Sequence, residues 1–306
     1  MRQCVLQTIF SSIFAFSSMS LSHAEEGWYS ETLYPQWCQS IRMDEVIDLQ
    51  ATGLQHLVIF ENALLGRVLA LDGVIQTTQA DEYVYHEMMA HLPLIAHGQA
   101  RNVLIIGGGD GGMLREVVRH KNVEKIVMVE IDKSVVEMSK EYLPMLSNGA
   151  FGDSRLELVI ADGAEYVKNT MDQFDVIICD STDPIGPGEV LFTEEFYSHC
   201  KGILKEGGIL VNQNGVPFMQ SIEIHQTYLR RKPYFKDTGF YIAAVPTYLG
   251  GFMAFGWATD SLSYRQLTMQ EIQERLANVE GELKYYNAEI HQAAFALPNF
   301  IKNHIP

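Results

Sequence analysis

The spacing of hydrophobic positions divides this chain into stretches of different period. From Glu25 to Asp81 the apolar positions fall in short runs, Asp44 to Leu49, Leu54 to Phe60, Arg67 to Leu71 and Val74 to Thr78, separated by turn-forming residues. Asp72-Gly73 between the last two runs is a strong hairpin signal, because both residues tolerate the positive φ angles of a tight two-residue turn. A small antiparallel β unit is predicted. From Asp81 to His97, Tyr85, Met88, Met89 and Leu92 recur at helical spacing, and Pro93 predicts that this helix ends or kinks there.

Beyond Arg101, continuous apolar runs alternate with helical stretches. Val103 to Ile106 reads as a strand, followed by Gly107-Gly108-Gly109-Asp110-Gly111-Gly112 and a helix from Met113 to Arg119. Lys125 to Glu130 and Leu156 to Ile160 are the next strands, with helices from Lys133 to Tyr142 and after Asp162-Gly163, and Asp175 to Cys179 is the fourth strand. Phe240 to Val245 and Gly251 to Ala258 predict an antiparallel hairpin closing the sheet. Such alternation belongs to an α/β fold whose parallel strands are covered on both faces.

Composition narrows the class of protein. With 306 residues, 47% of them hydrophobic and 20% charged, the chain is too apolar for disorder, too long for a small disulfide scaffold and too polar for a multi-span membrane protein. Its 38 acidic and 22 basic residues give a net charge of −16. That sign repels phosphate backbones and anionic lipid surfaces, so neither nucleic acid nor membrane is an expected partner. Cys4, Cys38, Cys179 and Cys200 form no C-x-x-C pair and have no His-x-x-x-His companion, so free thiols and no metal are expected. Residues 1–24 carry an apolar, Ser-rich stretch from Val5 to Leu21 and end in Ser22-His23-Ala24. They read either as a secretory signal peptide or as an extension from a start assigned too early, with Met19 as the true start.

Gly107-x-Gly109-x-x-Gly112 follows a strand and opens a helix, the setting in which glycines let the backbone approach a nucleotide. Glu130 ends the next strand roughly 20 residues on, where an acid binds the two hydroxyls of a ribose. Both nicotinamide dinucleotides and S-adenosyl ligands fit this pair. Asp110 separates them, since a carboxylate inside the loop repels a pyrophosphate and favours a phosphate-free ligand that carries positive charge. No Lys or His stands in the loop region to donate to a hydride acceptor, and Asp162-Gly163 supplies a polar group where adenine would lie. The fold class is therefore α/β, a doubly wound, Rossmann-like S-adenosyl-binding sheet of the class I methyltransferase type behind a small N-terminal antiparallel β domain.

The segment from Cys179 through Asp180-Ser181-Thr182-Asp183-Pro184 to Gly188 begins at the carboxyl end of a buried strand, the edge where open parallel sheets bind ligands. Asp110, Asp180 and Asp183 are expected to converge there with no basic residue to neutralise them. That is costly unless the substrate is a cation. An amine fits: its pKa lies near ~10.4, so it must lose a proton before its lone pair attacks carbon, and a carboxylate beside it accepts that proton.

The run Gly73-Val-Ile-Gln76-Thr-Thr, the segment Asp81-Glu82-Tyr83-Val-Tyr85-His86-Glu87-Met88, the loop Gly107 to Gly112 and the run from Asp180 to Pro187 together resemble the spermidine synthase family, most nearly its bacterial members. The similarity runs from about Glu25 almost to the C-terminus, through Pro246-Thr247-Tyr248 and Ala293 to Pro298. Members transfer the aminopropyl group of decarboxylated S-adenosylmethionine to putrescine, giving spermidine and methylthioadenosine. The resemblance implies that Asp180 is the proton acceptor and that Ser181, Thr182 and Asp183 line the polyamine site with His86 and Asp110. Tyr85 and Tyr248 flank the same groove or serve as packing residues. Gln55, Gly107, Gly109, Glu130, Asp162, Gly163 and Pro187 would hold the nucleoside. No cofactor is implied, the decarboxylated nucleoside being a co-substrate. Asp110 would also attract the donor's ammonium and repel the carboxylate of ordinary S-adenosylmethionine.

The same resemblance divides the chain into the leader 1–24, a β domain 25–81 that makes the contacts of a homodimer or homotetramer, and a catalytic domain 82–306, in a cytoplasmic enzyme. Export is the alternative if the leader acts as a signal. Two other functions remain open at this level: an S-adenosylmethionine-dependent amine methyltransferase and a non-catalytic, exported polyamine-binding protein.

Overall fold

The computed structural model describes residues 27–184 and 186–306, so the leader and Cys4 lie outside the described residues. Two compact units meet in sequence between Ala80 and Asp81. In the first, β1 (Trp28–Ser30) pairs antiparallel with β2 (Ser40–Arg42). The strands β3 (Glu45–Ala51), β4 (His56–Asn62), β5 (Gly66–Leu71) and β6 (Val74–Thr78) form a four-stranded antiparallel meander. Asp72 and Gly73 take φ angles of 48° and 86°, so the hairpin between β5 and β6 uses the mirror-image turn that matches strand twist. Phe60, Val68, Ala70 and Ile75 pack against Tyr29 and Ile41, and this cluster forms a core for the unit.

The second unit opens with α1 (Glu82–His97) and continues through β7 (Asn102–Gly107), α2 (Gly112–Val118), β8 (Lys125–Glu130), α3 (Lys133–Tyr142), β9 (Leu156–Ile160), α4 (Gly163–Asn169) and β10 (Phe174–Asp180). After β10 come α5 (Glu194–Ile203), β11 (Leu204–Gln213), α6 (Ser221–Arg231), β12 (Asp237–Ala243) and β13 (Met253–Thr259). The sheet order is β12-β13-β11-β10-β7-β8-β9, with β7 to β11 parallel and the β12–β13 hairpin antiparallel at one edge. Alternate residues of the inner strands enter two different cores. Val103, Ile105, Val176 and Ile178 join α1, while Leu104, Ile106, Ile177 and Cys179 join Phe196 and Tyr197 of α5. Burial on both faces is why the central runs of these strands are apolar at successive positions.

From β7 the chain winds outward to β8 and β9, and from β10 it winds the opposite way to β11. The carboxyl ends of β7 and β10 therefore flank the switch point, where an open parallel sheet leaves a crevice.

One sequence reading needs correction. The helix does not end at Pro93: α1 runs on to His97 and stops at Gly98, whose φ of 74° lets its N–H bond the Leu94 carbonyl. Burial of α1 residues on both sides of Pro93, with Arg275 donating to the Ile95 and Ala96 carbonyls at 2.7 Å each, outweighs the single helical hydrogen bond that proline removes. The hairpin closes the sheet at one edge, and a further strand separates it from the fourth strand. Between them lies β11, whose run Ile209-Leu210-Val211 after Gly207-Gly208 carries the strand signal.

Candidate active site

Parallel pairing sets Asp180 beside Gly107 at the switch point. The approach is so close that a Cβ on Gly107 would lie 2.0 Å from the Asp180 carbonyl oxygen, and Gly107 has a φ of +83°. The next residue, Gly108, donates its N–H to that carbonyl at 2.9 Å. Strand and loop are thereby locked together, and the Asp180 side chain faces the glycine loop. Tyr85, from the first turns of α1, donates its hydroxyl to Asp180 Oδ1 at 2.7 Å. Burial pushes the Asp180 carboxyl up to about 6; His86 and the Tyr85 hydrogen bond oppose that rise, and nearby Asp110 adds to it.

His86, one residue along α1, packs on the same loop. A Cβ on Gly112 would lie 2.3 Å from the imidazole, so glycine there makes room for the ring. His86 Nδ1 lies 2.6 Å from Glu82 Oε2, and Nε2 lies 3.5 Å from Asp110 Oδ2. Burial would lower the histidine's pKa, but the two carboxylates on opposite nitrogens raise it well above the usual range. A basic residue therefore does stand at the loop, and Asp110 is not an unpaired anion. Its Oδ1 also accepts the Gly112 N–H at 2.8 Å. Asp183 has partners too, accepting from Gln220 Nε2 at 2.8 Å and Gln213 Nε2 at 3.4 Å, while burial raises its pKa. The expected cluster of three unneutralised carboxylates is thus corrected. Sequence spacing says nothing of the histidine that α1 brings in, nor of the two amides.

Tyr248 stacks edge-on to Tyr85 with ring centroids 5.9 Å apart, and Tyr85 also meets Phe255 at 5.4 Å. The loop that carries Tyr248 is pinned to the head of α1, where Asp81 Oδ2 accepts from the Thr247 N–H at 2.8 Å and its hydroxyl at 2.7 Å. Ser181 donates its hydroxyl to the Thr182 carbonyl at 3.1 Å, and Gln213 donates to the same carbonyl at 2.9 Å. This loop lies against the 3-10 turn Gly186–Phe192 that contains Pro187, since a Cβ on Gly188 would meet Thr182 Oγ1 at 2.9 Å.

On the other flank of the loop, Glu130 is buried at the end of β8 and accepts the Asp132 N–H at 2.9 Å. Burial pushes its carboxyl up to about 7. Gly109 passes directly over it, a Cβ there falling 2.9 Å from Glu130 Oε2. Asp162 caps α4, with Oδ1 accepting from the Ala164 and Glu165 N–H groups at 2.7 and 3.1 Å. Gly163 sits tight on β7, 2.4 Å from Ile106 Cγ2 were it to carry a Cβ. Gln55 belongs to the first unit, in the turn between β3 and β4, where its N–H donates to Thr52 Oγ1 at 3.2 Å. Sequence reading missed Asp81, Glu82, Gln213 and Gln220. Asp81 and Glu82 stand in the segment that carries the family resemblance, and Glu82 also has i, i+4 spacing from His86. Cys38, Cys179 and Cys200 are free.

Comparison with known proteins gives consistent matches along the chain. The family model described as the spermine/spermidine synthase domain matches residues 82–270, and that described as the spermidine synthase tetramerisation domain matches residues 27–79. Polyamine aminopropyltransferase 1 of Pseudomonas aeruginosa is 58% identical over 273 residues, covering 89% of this chain and 96% of the relative. The polyamine aminopropyltransferase of Shigella sonnei is 54% identical over 280 residues, covering 92% and 97%. Among solved structures, a spermidine synthase in complex with the transition-state analogue AdoDATO superposes with a TM-score of 0.86 at 42% identity, covering 94% of this chain and 98% of that one. The Thermotoga maritima spermidine synthase does so with a TM-score of 0.83 at 40% identity, covering 94% and 97%.

Proposed function

Because this chain belongs to the spermine/spermidine synthase family, we propose that its site transfers the aminopropyl group of decarboxylated S-adenosylmethionine to putrescine, releasing spermidine and methylthioadenosine. The observation that carries this reading is the buried Asp180 carboxylate at the switch point, held by Tyr85 and facing the glycine loop. A carboxylate pushed up to about 6 is a stronger base than an ordinary aspartate and is still ionised at neutral pH.

The nucleoside lies along the loop, with its ribose hydroxyls on Glu130 and its adenine near Asp162, Gly163 and Pro187. Asp110 takes the ammonium end of the aminopropyl chain. The acceptor diamine lies between Tyr85, His86, Tyr248, Ser181, Thr182 and Asp183. Asp180 accepts a proton from its near amine, the freed lone pair attacks the carbon bonded to the sulfonium, the C–S bond breaks, and methylthioadenosine leaves with that electron pair. Holding both reactants over adjacent strands supplies the proximity that a two-substrate displacement needs. The reaction uses no resident cofactor in this scheme.

We place the enzyme in the cytoplasm, where its donor is made, as a homodimer or homotetramer assembled through residues 25–81, with 82–306 as the catalytic domain. No described helix is long and apolar enough to cross a membrane. Incubating the protein with both substrates and quantifying spermidine and methylthioadenosine together tests the reading. Equal amounts of the two support it, whereas S-adenosylhomocysteine from ordinary S-adenosylmethionine, or no turnover at all, overturns it.

A further inference from the structure

Behind His86 lies a buried string of charges that the displacement itself does not use. Glu82 Oε1 accepts from Arg115 Nη1 at 3.0 Å, and Oε2 accepts from Arg115 Nη2 at 2.8 Å while lying 2.6 Å from His86 Nδ1. Arg115 is itself held, donating Nε to Glu116 Oε1 at 2.6 Å and Nη1 to the Leu146 carbonyl at 2.7 Å. Glu116 accepts in turn from Arg119 Nη1 at 2.8 Å and lies 2.8 Å from His91 Nε2. The side chains of Glu82 and His86 are only 5% and 3% exposed, against 13% for Asp110, so the Asp110 end is where the Glu82–His86–Asp110 part of the string opens outward. Stability does not explain such a string, since apolar side chains of similar volume fill an interior without the cost of desolvating ions.

We propose that Glu82 and Arg115 are positioning residues for the aminopropyl donor, acting through His86 to hold the Asp110 carboxylate that anchors the donor's ammonium group. The proposal rests on the aminopropyl-transfer reading above. The planar fork of Arg115 engages both oxygens of Glu82 and so leaves Oε2 one place to stand. From there it accepts the Nδ1 proton of His86, which fixes the ring and turns Nε2 toward Asp110 Oδ2. Four groups face the ring: Glu82 on its own helix, Asp110 from the loop, Asp180 from β10 by its charge, and the edge of Tyr85 at a centroid distance of 5.4 Å. With carboxylates at both nitrogens the ring keeps both protons. Asp110 is then gripped by His86 and by the Gly112 N–H together. Neither Glu82 nor Arg115 needs to touch substrate.

Binding of two nucleosides separates this role from a purely structural one. Decarboxylated S-adenosylmethionine carries the ammonium group and methylthioadenosine lacks it. In calorimetry on the full-length protein, Glu82→Gln should weaken the donor about 10-fold, the scale of one charge-assisted contact, and leave methylthioadenosine affinity within about twofold. In steady-state assays the loss should enter the donor KM with kcat little changed, as expected for binding that is equal in ground and transition states. Arg115→Lys, which keeps the charge but loses the fork, should shift the donor in the same direction by less. In an Asp110→Asn background, Glu82→Gln should add nothing further to the loss of donor affinity. Equal weakening of both nucleosides, an unchanged donor affinity, a full Glu82→Gln effect without Asp110, or failure of both variants to fold overturns the proposal. A parent protein that makes no methylthioadenosine instead removes the reading on which it rests.

Discussion

Two carboxyls, Asp180 and Glu130, are held by burial at about 6 and about 7, and each has a different consequence for pH dependence. As the proposed base, Asp180 must be ionised to take the amine proton, so kcat/KM should fall about tenfold per pH unit once the pH drops below about 6. Asp180→Asn should lower kcat by roughly 10²- to 10⁴-fold while calorimetric affinity for methylthioadenosine stays near that of the parent. Near-parental turnover would remove Asp180 as the base. In its proposed role Glu130 binds the ribose hydroxyls, and does so best as an anion. Methylthioadenosine should therefore bind more weakly as pH falls through about 7, and Glu130→Gln should flatten that dependence along with weakening the complex. The role proposed for Asp110 is selection by charge: Asp110→Asn should bring the affinities for decarboxylated and ordinary S-adenosylmethionine closer together, measured by competition, and an unchanged ratio would refute that role. These residues were legible because their positions follow from local order along a strand and its loop. Of the partners that tune them, Tyr85 was placed at the groove by the family resemblance, whereas Gln213 and Gln220 were not legible, because they reach the site from elements remote in sequence.

Between elements, the tightest constraint is the passage of the glycine loop across the end of β10. Gly107→Ala should be more damaging than its size suggests, because the new methyl would meet main chain at 2.0 Å and the position has positive φ. Overpacking of this kind costs ~1–3 kcal/mol, and separating β7 from β10 also displaces Asp180. Loss of both thermal stability and turnover is the expected result, and a variant with parental melting temperature and activity would show that the strand ends tolerate separation. The inner strands β7, β8 and β10 were readable because burial on both faces makes their central runs apolar, and the Asp72-Gly73 turn because only its mirror-image geometry fits the strands it joins. Pro93 misled because proline costs a helix one hydrogen bond, whereas the packing that offsets it comes from the rest of the molecule.

Across the whole molecule, the charge of −16 and the match of residues 27–79 to a tetramerisation domain bear on assembly. The edge strand β3 leaves Val46 and Leu49 exposed at 43% and 39%, an apolar surface of the kind that natural edges usually cover. Light scattering should give a solution mass that is a multiple of the 34.5 kDa chain, and replacing both residues with aspartate should lower it. A single-chain mass for the parent would refute the assembly. By itself the sequence determined the alternation of strands and helices from β7 to β10, the two-residue turn, the glycine loop and the acids at the carboxyl ends of strands, since periodicity, backbone freedom and chain neighbours are local properties. Only the tertiary structure decided that β10 lies beside β7, that α1 brings His86 between Glu82 and Asp110, and that the acids expected to stand unpaired have partners. Electrostatic and hydrogen-bond energies depend on distances in space, and no spacing along the chain encodes a distance between elements that meet only on folding.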